Sequence, residues 1–469
     1  MARWCFPPTE SGDLGHIGWR TPEDIMEEPV MMPRTAYVRI LSTACLVLAA
    51  AGLLRAQLDG SYVLPMDDPA IAYAQPKVSD PASRLNEDLQ NGRRTLAFDE
   101  THGYLRSLLE ALEVPVSSQV LVFSKTSFQA TRISPRLPRA LYFNDRVSVG
   151  FVRTGDVLEV MAADPKQGMI FYTLDQDPGA KPQLIRRDEC LQCHLSPRTT
   201  GVPGWMVRSV YPDSTGMPLF QAGSFVTDHR SPLKERWCGW YVTGKHGSQP
   251  HMGNVYSKSK SEPDMDFQEG ANLTDLKRHF DTGAYLTPHS DIVALMVLEH
   301  QGRMQNLITR VGFDARMALR DQAALAPLLN KPGEELTDST RRRINLVADA
   351  LVQYMLFADE APLSDSIEGT SAFTQEFQKA GPRDGKGRSL RELDLGKRLF
   401  RYPCSYLIYT EAFEALPEPA RMRIYERLWD VVSGKDKSAA FARLSMEDRQ
   451  AVKEILLDTK KGLPEYWRN

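Results

Sequence analysis

Hydrophobic and polar positions alternate in a way that separates a strand-rich part of the chain from helical parts. Between residues 114 and 174, short runs of β-branched and aromatic residues are divided by turn groups such as Asn144-Asp145 and Thr154-Gly155-Asp156. Short strands that alternate with tight turns are typical of an antiparallel meander. The predicted strands are residues 120–123, 141–143, 147–152, 157–161 and 169–174.

A second strand-rich stretch follows residue 200. Residues 206–211 and 219–226 flank the turn group Pro212-Asp213-Ser214-Thr215-Gly216, and this arrangement predicts a β-hairpin. Residues 237–242 form another strand-like run. Residues 244–267 are expected to be loop, because glycine, proline and serine interrupt any period there.

Helical periodicity surrounds the strands on both sides. Residues 84–113 place leucines at helical spacing, with an interruption at Asn91-Gly92. From residue 273 onward the pattern is helical. Thr287 and Pro288 are predicted as the N-cap and first residue of a helix that continues through 291–310. Further helices are predicted at 336–358, 390–416, 417–432 and 445–459, with loop at 361–389. The predicted fold class is α+β, with an antiparallel β-rich part followed by an α-helical part.

The order of these patterns predicts five segments. Residues 1–30 are predicted to be unstructured or to precede the true start of the gene. Residues 31–56 are predicted to be a signal peptide, in which Arg34 and Arg39 precede the apolar run 40–54 and cleavage follows Ala56. An uncleaved anchor is the alternative, although about fifteen apolar residues are short for a membrane span. Residues 57–83 are a predicted linker, 84–270 a β-rich domain, and 271–469 an α-helical part. The protein is therefore expected to be exported, to the periplasm or beyond.

Composition narrows the class of function. A hydrophobic content of 42%, a charged content of 25% and a net charge of −3 are ordinary values for a folded globular protein. No basic run with interleaved aromatic residues occurs, so nucleic acid is not an expected partner. The sequence has no HExxH, P-loop, GxSxG or GxGxxG motif in a suitable context, which gives no support to hydrolase or nucleotide chemistry.

The strongest chemical signal is the stretch Cys190-Leu191-Gln192-Cys193-His194. Two cysteines three positions apart, followed directly by histidine, form the attachment pattern of c-type haem. Each thiol can add to one vinyl group of the porphyrin, and the neutral imidazole that follows is a good axial ligand for iron. The pattern predicts haem attached through Cys190 and Cys193, with His194 as the proximal iron ligand.

Two other interpretations of the cysteine pair stay open. The pair could supply half of a zinc site, with His246 and His251 as the other ligands. It could also be a redox dithiol, although that motif usually lies in a βαβ unit and Pro197, Pro203 and Gly204 indicate irregular backbone here.

Through Cys190, Cys193 and His194 the chain resembles c-type cytochromes. The longer run 190–204, with Arg230-Ser231-Pro232 and Gly239-Trp240-Tyr241-Val242-Thr243-Gly244, is similar to a group of large exported bacterial single-haem proteins. The resemblance implies one covalent haem c with its iron, and it implies no substrate. It agrees with the predicted signal peptide, because c-type haem is attached after export.

The second axial position decides between electron transfer and chemistry at the iron. Histidines in the glycine-flanked loop 243–254 are the predicted distal ligands, with His251 first and His246 second. The other possible ligands are Met252, Met206, Met217 and His229. His289 and His300 lie eleven positions apart, too far along one helix to share a metal, and are expected to serve packing.

Further residues are expected around the haem. Trp205, Trp237, Trp240 and Tyr241 are predicted either to line the pocket or to pack between strands. One or two of four arginines near the motif are expected to pair with haem propionates; they are Arg186, Arg187, Arg198 and Arg208. Cys238 and Cys404 are expected to be separate buried thiols rather than a disulfide.

The predicted function is that of an exported c-type cytochrome that transfers electrons to or from a redox partner protein or small molecule. The alternative is a haem-dependent oxidoreductase of the peroxidase type, or a haem sensor, with an open distal site. The chain is longer than one haem requires, which suggests an additional docking surface or pocket.

Overall fold

A seven-stranded antiparallel sheet forms the middle of the chain and confirms the predicted meander and the α+β class. Its strands are β1 (Val120–Val122), β2 (Arg139–Phe143), β3 (Val147–Val152), β4 (Val157–Asp164), β5 (Gly168–Asp175), β6 (Leu184–Arg186) and β9 (Trp240–Tyr241); strands β7 and β8 belong to a smaller sheet. The spatial order is β6-β5-β4-β3-β2-β1-β9, so strands that are consecutive in the chain are neighbours, and β9 is added beside β1.

This computed structural model describes residues 62–74, 77–327 and 335–468. The predicted start at 1–30 and the predicted signal peptide at 31–56 lie outside the described residues, and the domain boundary at 270 stays a prediction. Within the part of the chain that is described, no helix combines the length and the apolar character needed to cross a bilayer.

Two short antiparallel pairs accompany the main sheet. β7 (Arg208–Val210) pairs with β8 (Ser224–Val226), which confirms the hairpin predicted around residue 214. β10 (Gly244–Lys245) pairs with β11 (Glu368–Gly369), a contact between the strand-rich and helical parts that the sequence pattern does not reveal.

Most helices come before or after the sheet strands along the chain. They are α1 (Pro81–Gln90), α2 (Leu105–Ala111), α3 (Leu191–His194), α4 (Ile292–Leu325), α5 (Asp338–Met355), α6 (Phe373–Lys379), α7 (Glu411–Glu414), α8 (Glu418–Val432) and α9 (Met446–Thr459). Single 3-10 turns occur at Val116–Ser118, Ala130–Arg132, Asp188–Cys190, Pro197–Thr199, Phe220–Ala222, Leu233–Glu235, Thr282–Ala284, Tyr406–Tyr409, Ala439–Phe441 and Glu465–Trp467.

Most predicted helices are confirmed, and one is wrong. The predictions at 336–358, 417–432 and 445–459 correspond to α5, α8 and α9. Residues 390–416 are mostly irregular, and Leu390, Leu399 and Phe400 reach the core from loop backbone. α6 lies in a stretch predicted as loop.

The predicted start of α4 at Thr287 and Pro288 is also wrong. The Asp291 carboxylate is the N-cap, with Oδ1 accepting from the Val293 and Ala294 N–H groups at 2.8 and 3.3 Å. The backbone N–H of Thr243 donates to the Ser290 carbonyl at 2.6 Å, which keeps the chain extended up to the cap.

The sheet packs against different partners on its two faces. Alternate residues such as Tyr142, Val149 and Val160 join a core with α1 and α2. The opposite residues, among them Phe143, Met169 and Phe171, join a second core that includes α4 and the C-terminal helices. The site described below lies on this second face.

Helix α4 is buried along most of its 34 residues although it carries many polar side chains. These side chains bond to loops around the helix. Gln301 Nε2 donates to the Asn144 carbonyl at 2.7 Å, and Gln305 donates to the Asp145 carbonyl. The helix is thereby fixed to the β2–β3 turn.

Replacing Asp291 tests how far this helix depends on its cap. The second oxygen, Oδ2, accepts from the Thr370 and Ser371 N–H groups, so one carboxylate joins the helix to the segment after β11. We expect Asp291→Ala to lower the free energy of unfolding by roughly 2–4 kcal/mol, measured by urea denaturation. Asp291→Asn should cost less, and Asp175→Ala, at an exposed strand end, should cost almost nothing. Equal effects of the three changes would contradict this role.

Candidate functional site

The Cys-x-x-Cys-His stretch folds as a 3-10 turn followed by the single-turn helix α3. Residues three apart on such a turn share one side, with Cβ atoms about 5–6 Å apart. Cys190 and Cys193 therefore present their thiols in the same direction. Cys190 is half-buried and Cys193 is exposed, and neither is in a disulfide.

Both cysteines and His194 line one open cavity of about 660 Å³. This volume lies within the range of about 300–1,000 Å³ that is usual for small-molecule and cofactor sites. The cavity lies on the second face of the sheet. Residues in phase along four strands contribute its lining; they are Arg139, Leu141, Ser148, Glu159, Met161, Phe171 and Thr173.

The His194 imidazole is held in one tautomer. Its Nδ1–H donates to the Gly204 carbonyl at 2.9 Å, and the Gly204 N–H donates back to the His194 carbonyl at 3.0 Å. The other nitrogen, Nε2, consequently keeps its lone pair. Burial lowers the pKa of His194, so the ring is neutral at pH 7. A neutral histidine whose second nitrogen bonds a backbone carbonyl has the usual form of a metal ligand.

Asn306 of α4 fixes the segment that carries Gly204. Its Oδ1 accepts from the Trp205 N–H and its Nδ2 donates to the Trp205 carbonyl, both at 2.8 Å. A Cβ atom at position 204 would lie 2.2 Å from Asn306 Oδ1. Glycine is therefore needed at 204 for the helix to approach this closely, and the position of His194 depends on that approach.

The Cys190 side chain is a thiol at neutral pH. Burial, reinforced by the negative charges of Glu159 and Glu189, raises the pKa of Cys190 to about 11. Nucleophilic and metal-binding cysteines usually have lowered pKa values instead. The environment of Cys190 therefore does not favour redox-dithiol chemistry.

Four cationic side chains line the cavity against two anionic ones. The cations are Lys125, Arg139, Arg187 and Arg208, and the anions are Glu159 and Glu189. Arg139 and Glu159 form an ion pair with each other.

Two of the four predicted propionate-binding arginines, Arg187 and Arg208, therefore belong to the lining. Arg186 instead bonds Asp188 and the Tyr73 carbonyl, and Arg198 is outside the lining.

The aromatic residues predicted around the haem divide in the same way. Trp205 and Trp240 line the cavity, whereas Trp237 and Tyr241 do not. Trp240 Nε1 donates to the Arg208 carbonyl at 2.8 Å. Trp205 Nε1 is buried and donates to no atom of residues 62–74, 77–327 or 335–468.

The two histidines predicted as distal ligands lie outside this lining. His246 is held by Nδ1–H donation to the Gln249 carbonyl at 2.6 Å, and its Nε2 accepts from the Asn272 N–H at 2.8 Å. His251 Nδ1 accepts from the Gly253 N–H at 3.0 Å, so its proton is on Nε2. In this structure neither ring presents a free lone pair as His194 does.

Of the remaining predicted ligands, some line the cavity and others do not. Met206 lines the cavity, whereas Met217 and Met252 do not. His229 is buried and bonds His300 through their Nδ1 atoms at 2.9 Å. His289 precedes the Asp291 cap, so it does not share a helix with His300 as the sequence suggested.

The geometry does not favour the zinc alternative. Both nitrogens of His246 are engaged with backbone groups, so it has no lone pair for a metal. Across the described ranges, no group of three or more His, Cys, Asp and Glu side chains is arranged to hold a metal ion. Cys238 and Cys404 are buried and unpaired, as the sequence predicts.

The chain matches no protein-family model, no curated protein and no solved structure. The resemblance to c-type cytochromes through residues 190–194 therefore stays a prediction, and the chemistry of the site has to be inferred from its own geometry.

Two features of the site were not predicted from the sequence: the polar side chains on one face of the sheet, and the contact between Gly204 and Asn306 of α4. Arg139, Ser148, Glu159 and Thr173 are polar residues in otherwise apolar strands, all on the same face. This in-phase polar row is a signal that the face is not a dry core. Nothing in the sequence pairs Gly204 with Asn306, because the contact joins residues about a hundred positions apart.

A double-mutant cycle tests the support of His194. Gly204→Ala should lower the free energy of unfolding by about 1–3 kcal/mol because its Cβ collides with Asn306. Asn306→Ala should cost a similar amount because two buried Trp205 groups lose their partner. The double variant should cost less than the sum, because the collision is gone.

The control for this cycle is Gly312→Ala on the same helix. Its Cβ would lie 3.5 Å from Leu416 Cδ2, an ordinary contact, so the change should be neutral or slightly stabilising. Strict additivity of the Gly204 and Asn306 effects in urea denaturation would rule out the proposed collision.

Proposed function

We propose that this protein is an exported c-type cytochrome that carries one covalent haem and transfers single electrons. Cys190 and Cys193 would hold the porphyrin through thioether bonds, and His194 Nε2 would bind the iron. One observation carries the proposal: both thiols and an imidazole with a free Nε2 line the same cavity. The Cys-x-x-Cys-His pattern gives that combination its specificity for haem.

The residues of the cavity fit a haem group in charge and in polarity. The surplus of two positive side chains in the lining matches the two propionates of one haem. Of the four arginines that the sequence suggested for propionate binding, Arg187 and Arg208 belong to the lining and could pair with the propionates. Trp205 also belongs to the lining, and its buried Nε1–H has no acceptor among the described residues.

The apolar part of the lining supports the same assignment. Phe171 packs against the His194 ring, with centroids 4.9 Å apart. Phe128 and Phe220 line the cavity although they are 68% and 55% exposed. A flat apolar cofactor in the cavity would cover part of these rings, which gives a physical reason for leaving them accessible.

When bound, haem iron supplies a one-electron couple between its ferric and ferrous forms. The chain contributes the rest of the chemistry. The Gly204 carbonyl strengthens His194 as a ligand by accepting from Nδ1–H, and Asn306 keeps that carbonyl in place. The apolar residues Phe171, Trp205 and Leu298 of the lining would cover part of the cofactor, and solvent exposure is one of the factors that set a reduction potential.

A haem-dependent oxidoreductase or a haem sensor is the second candidate function. It is favoured by the position of His251 and His246, which lie outside the lining and have no free lone pair in this structure. Met206 is the predicted distal residue that does line the cavity. A thioether from Met206 would favour electron transfer, and an open position would favour ligand binding or turnover.

The expected location and partners follow from the same proposal. Attachment of c-type haem after export requires the signal peptide predicted at residues 31–56. A redox partner protein or a small electron donor or acceptor would meet the haem at the mouth of the cavity, near Phe128 and Phe220. Nucleic acid is not an expected partner.

Cysteine replacements test the attachment. We expect Cys190→Ala/Cys193→Ala to lose covalent haem completely, because no thiol remains at the cavity to form a thioether. The readout is haem that stays with the chain after denaturing electrophoresis. The control is Cys404→Ala, which removes a buried thiol that does not line the cavity and should leave the haem in place. Full covalent haem in the double variant would contradict the proposal.

The optical spectrum of the exported, purified protein separates the two candidate functions. Sharp reduced α and β bands that carbon monoxide leaves unchanged would indicate two strong axial ligands and electron transfer. A high-spin spectrum that shifts with carbon monoxide would indicate an open distal side. We expect Met206→Ala to convert the first type of spectrum into the second, while His251→Ala should leave it unchanged. The absence of haem bands would remove both candidates.

A further inference from the structure

A carboxylic side chain lies directly behind one wall of the cavity. Val207 and Leu298 belong to that wall, and the Thr227 N–H donates to the Val207 carbonyl at 3.1 Å. Glu299 follows Leu298 in α4, and the Thr227 hydroxyl donates to Glu299 Oε1 at 2.5 Å. Glu299 is therefore separated from the cavity by a single layer of residues.

The Glu299 carboxylate is completely buried and only partly neutralised. Arg236 Nη1 donates to Oε2 at 3.0 Å, with the two side chains 3% and 0% exposed. The same guanidinium also donates to the carbonyls of His229 and Ser231, so its charge is shared. Burial raises the pKa of Glu299 to about 7, against the opposing effect of Arg236. Burial therefore favours the protonated form of Glu299 more strongly than that of an exposed glutamate.

The histidine pair, Asp228 and Tyr354 near Glu299 each keep one protonation state near neutral pH. Burial lowers the pKa of both His229 and His300 well below neutrality, so this hydrogen-bonded pair is uncharged. Burial would raise the pKa of Asp228, but the Arg230 hydrogen bond and charge outweigh it and hold that carboxylate ionised. Burial raises the pKa of Tyr354 far above its usual range. The charged residues facing this cluster are Asp228, Arg230, Arg236 and Arg303, and Glu360 acts on it through Arg236.

We propose that Glu299 binds one proton when an electron enters the cavity and releases it when the electron leaves. The inference rests on the proposed function, because it requires a one-electron centre in the cavity. An added electron makes the region more negative, and a nearby carboxylate is repelled more strongly in a low-dielectric interior than in water. The acid form is therefore favoured in the reduced protein.

The step balances in charge and in atoms. The electron comes from an external one-electron donor and the proton comes from solvent. One O–H bond forms on a Glu299 oxygen, no other bond of the chain changes, and the net charge of the buried region is preserved. Reoxidation by an external acceptor reverses the step and returns the proton to solvent.

The test is a spectroelectrochemical titration of the haem-loaded, full-length protein from about pH 5 to about pH 9. Below the pKa of Glu299 in the oxidised protein, the midpoint potential should be constant. Above it, reduction brings proton uptake, so the potential should fall as pH rises. A fully coupled proton gives a fall of at most 59 mV for each tenfold drop in proton concentration.

Matched variants assign that slope to one residue. Glu299→Gln should flatten the slope near pH 7, because the amide does not take up the proton. Glu360→Gln should change the slope much less. Burial also raises the pKa of Glu360 to about 7 and Glu360 also interacts with Arg236, but its carboxylate accepts from the Leu399 N–H and bonds no neighbour of the cavity wall. An equal pH dependence of the midpoint potential in the unsubstituted protein and in Glu299→Gln would overturn the inference while leaving the proposed function intact.

A second variant keeps the test usable if Glu299→Gln does not fold. Thr227→Val preserves the shape but removes the hydrogen bond that lowers the pKa of Glu299. The pH range of the slope should therefore move upward. An unmoved range would contradict the inference, and a purified protein without haem bands would overturn it together with the proposed function.

Discussion

The constraint on which the rest of the structure depends is the burial of α4 together with its polar side chains. A buried polar group without a partner costs about 1–3 kcal/mol, so each of these side chains has to find one. Glu299 bonds Arg236, His300 bonds Ser405, Gln301 bonds the Asn144 carbonyl and Asn306 bonds Trp205. The helix thereby organises the loops of both parts of the chain, and its hydrogen bonds determine where the site can form.

The site forms where the segment held by α4 packs over the sheet. Asn306 fixes the Trp205 backbone, the adjoining Gly204 carbonyl orients His194, and the strand face below supplies Arg139 and Glu159. A histidine on a single-turn helix has little intrinsic order, so its geometry comes from these long-range contacts. The predicted collision at position 204 and the proposed iron ligand are consequences of the same close approach between α4 and one loop.

Under the proposed function, burial beside the cavity would link electron transfer to protonation. Burial keeps the His194 imidazole neutral and the Cys190 thiol protonated, and it raises the pKa of Glu299. All three shifts have the same cause, since burial disfavours the charged form of every group. The interior that suits an apolar cofactor therefore also supplies a group that can respond to its charge.

The sequence by itself determined the meander, the hairpin near residue 214, most of the helices and the Cys190–His194 motif, because these depend on local periodicity and short spacing. The tertiary structure alone decided that the motif lies over the polar face of the sheet, that Asn306 of α4 fixes the Gly204–Trp205 backbone, and that His251 bonds backbone outside the cavity lining. Those features depend on contacts between distant segments, which compete with local preferences and leave no periodic trace in the chain.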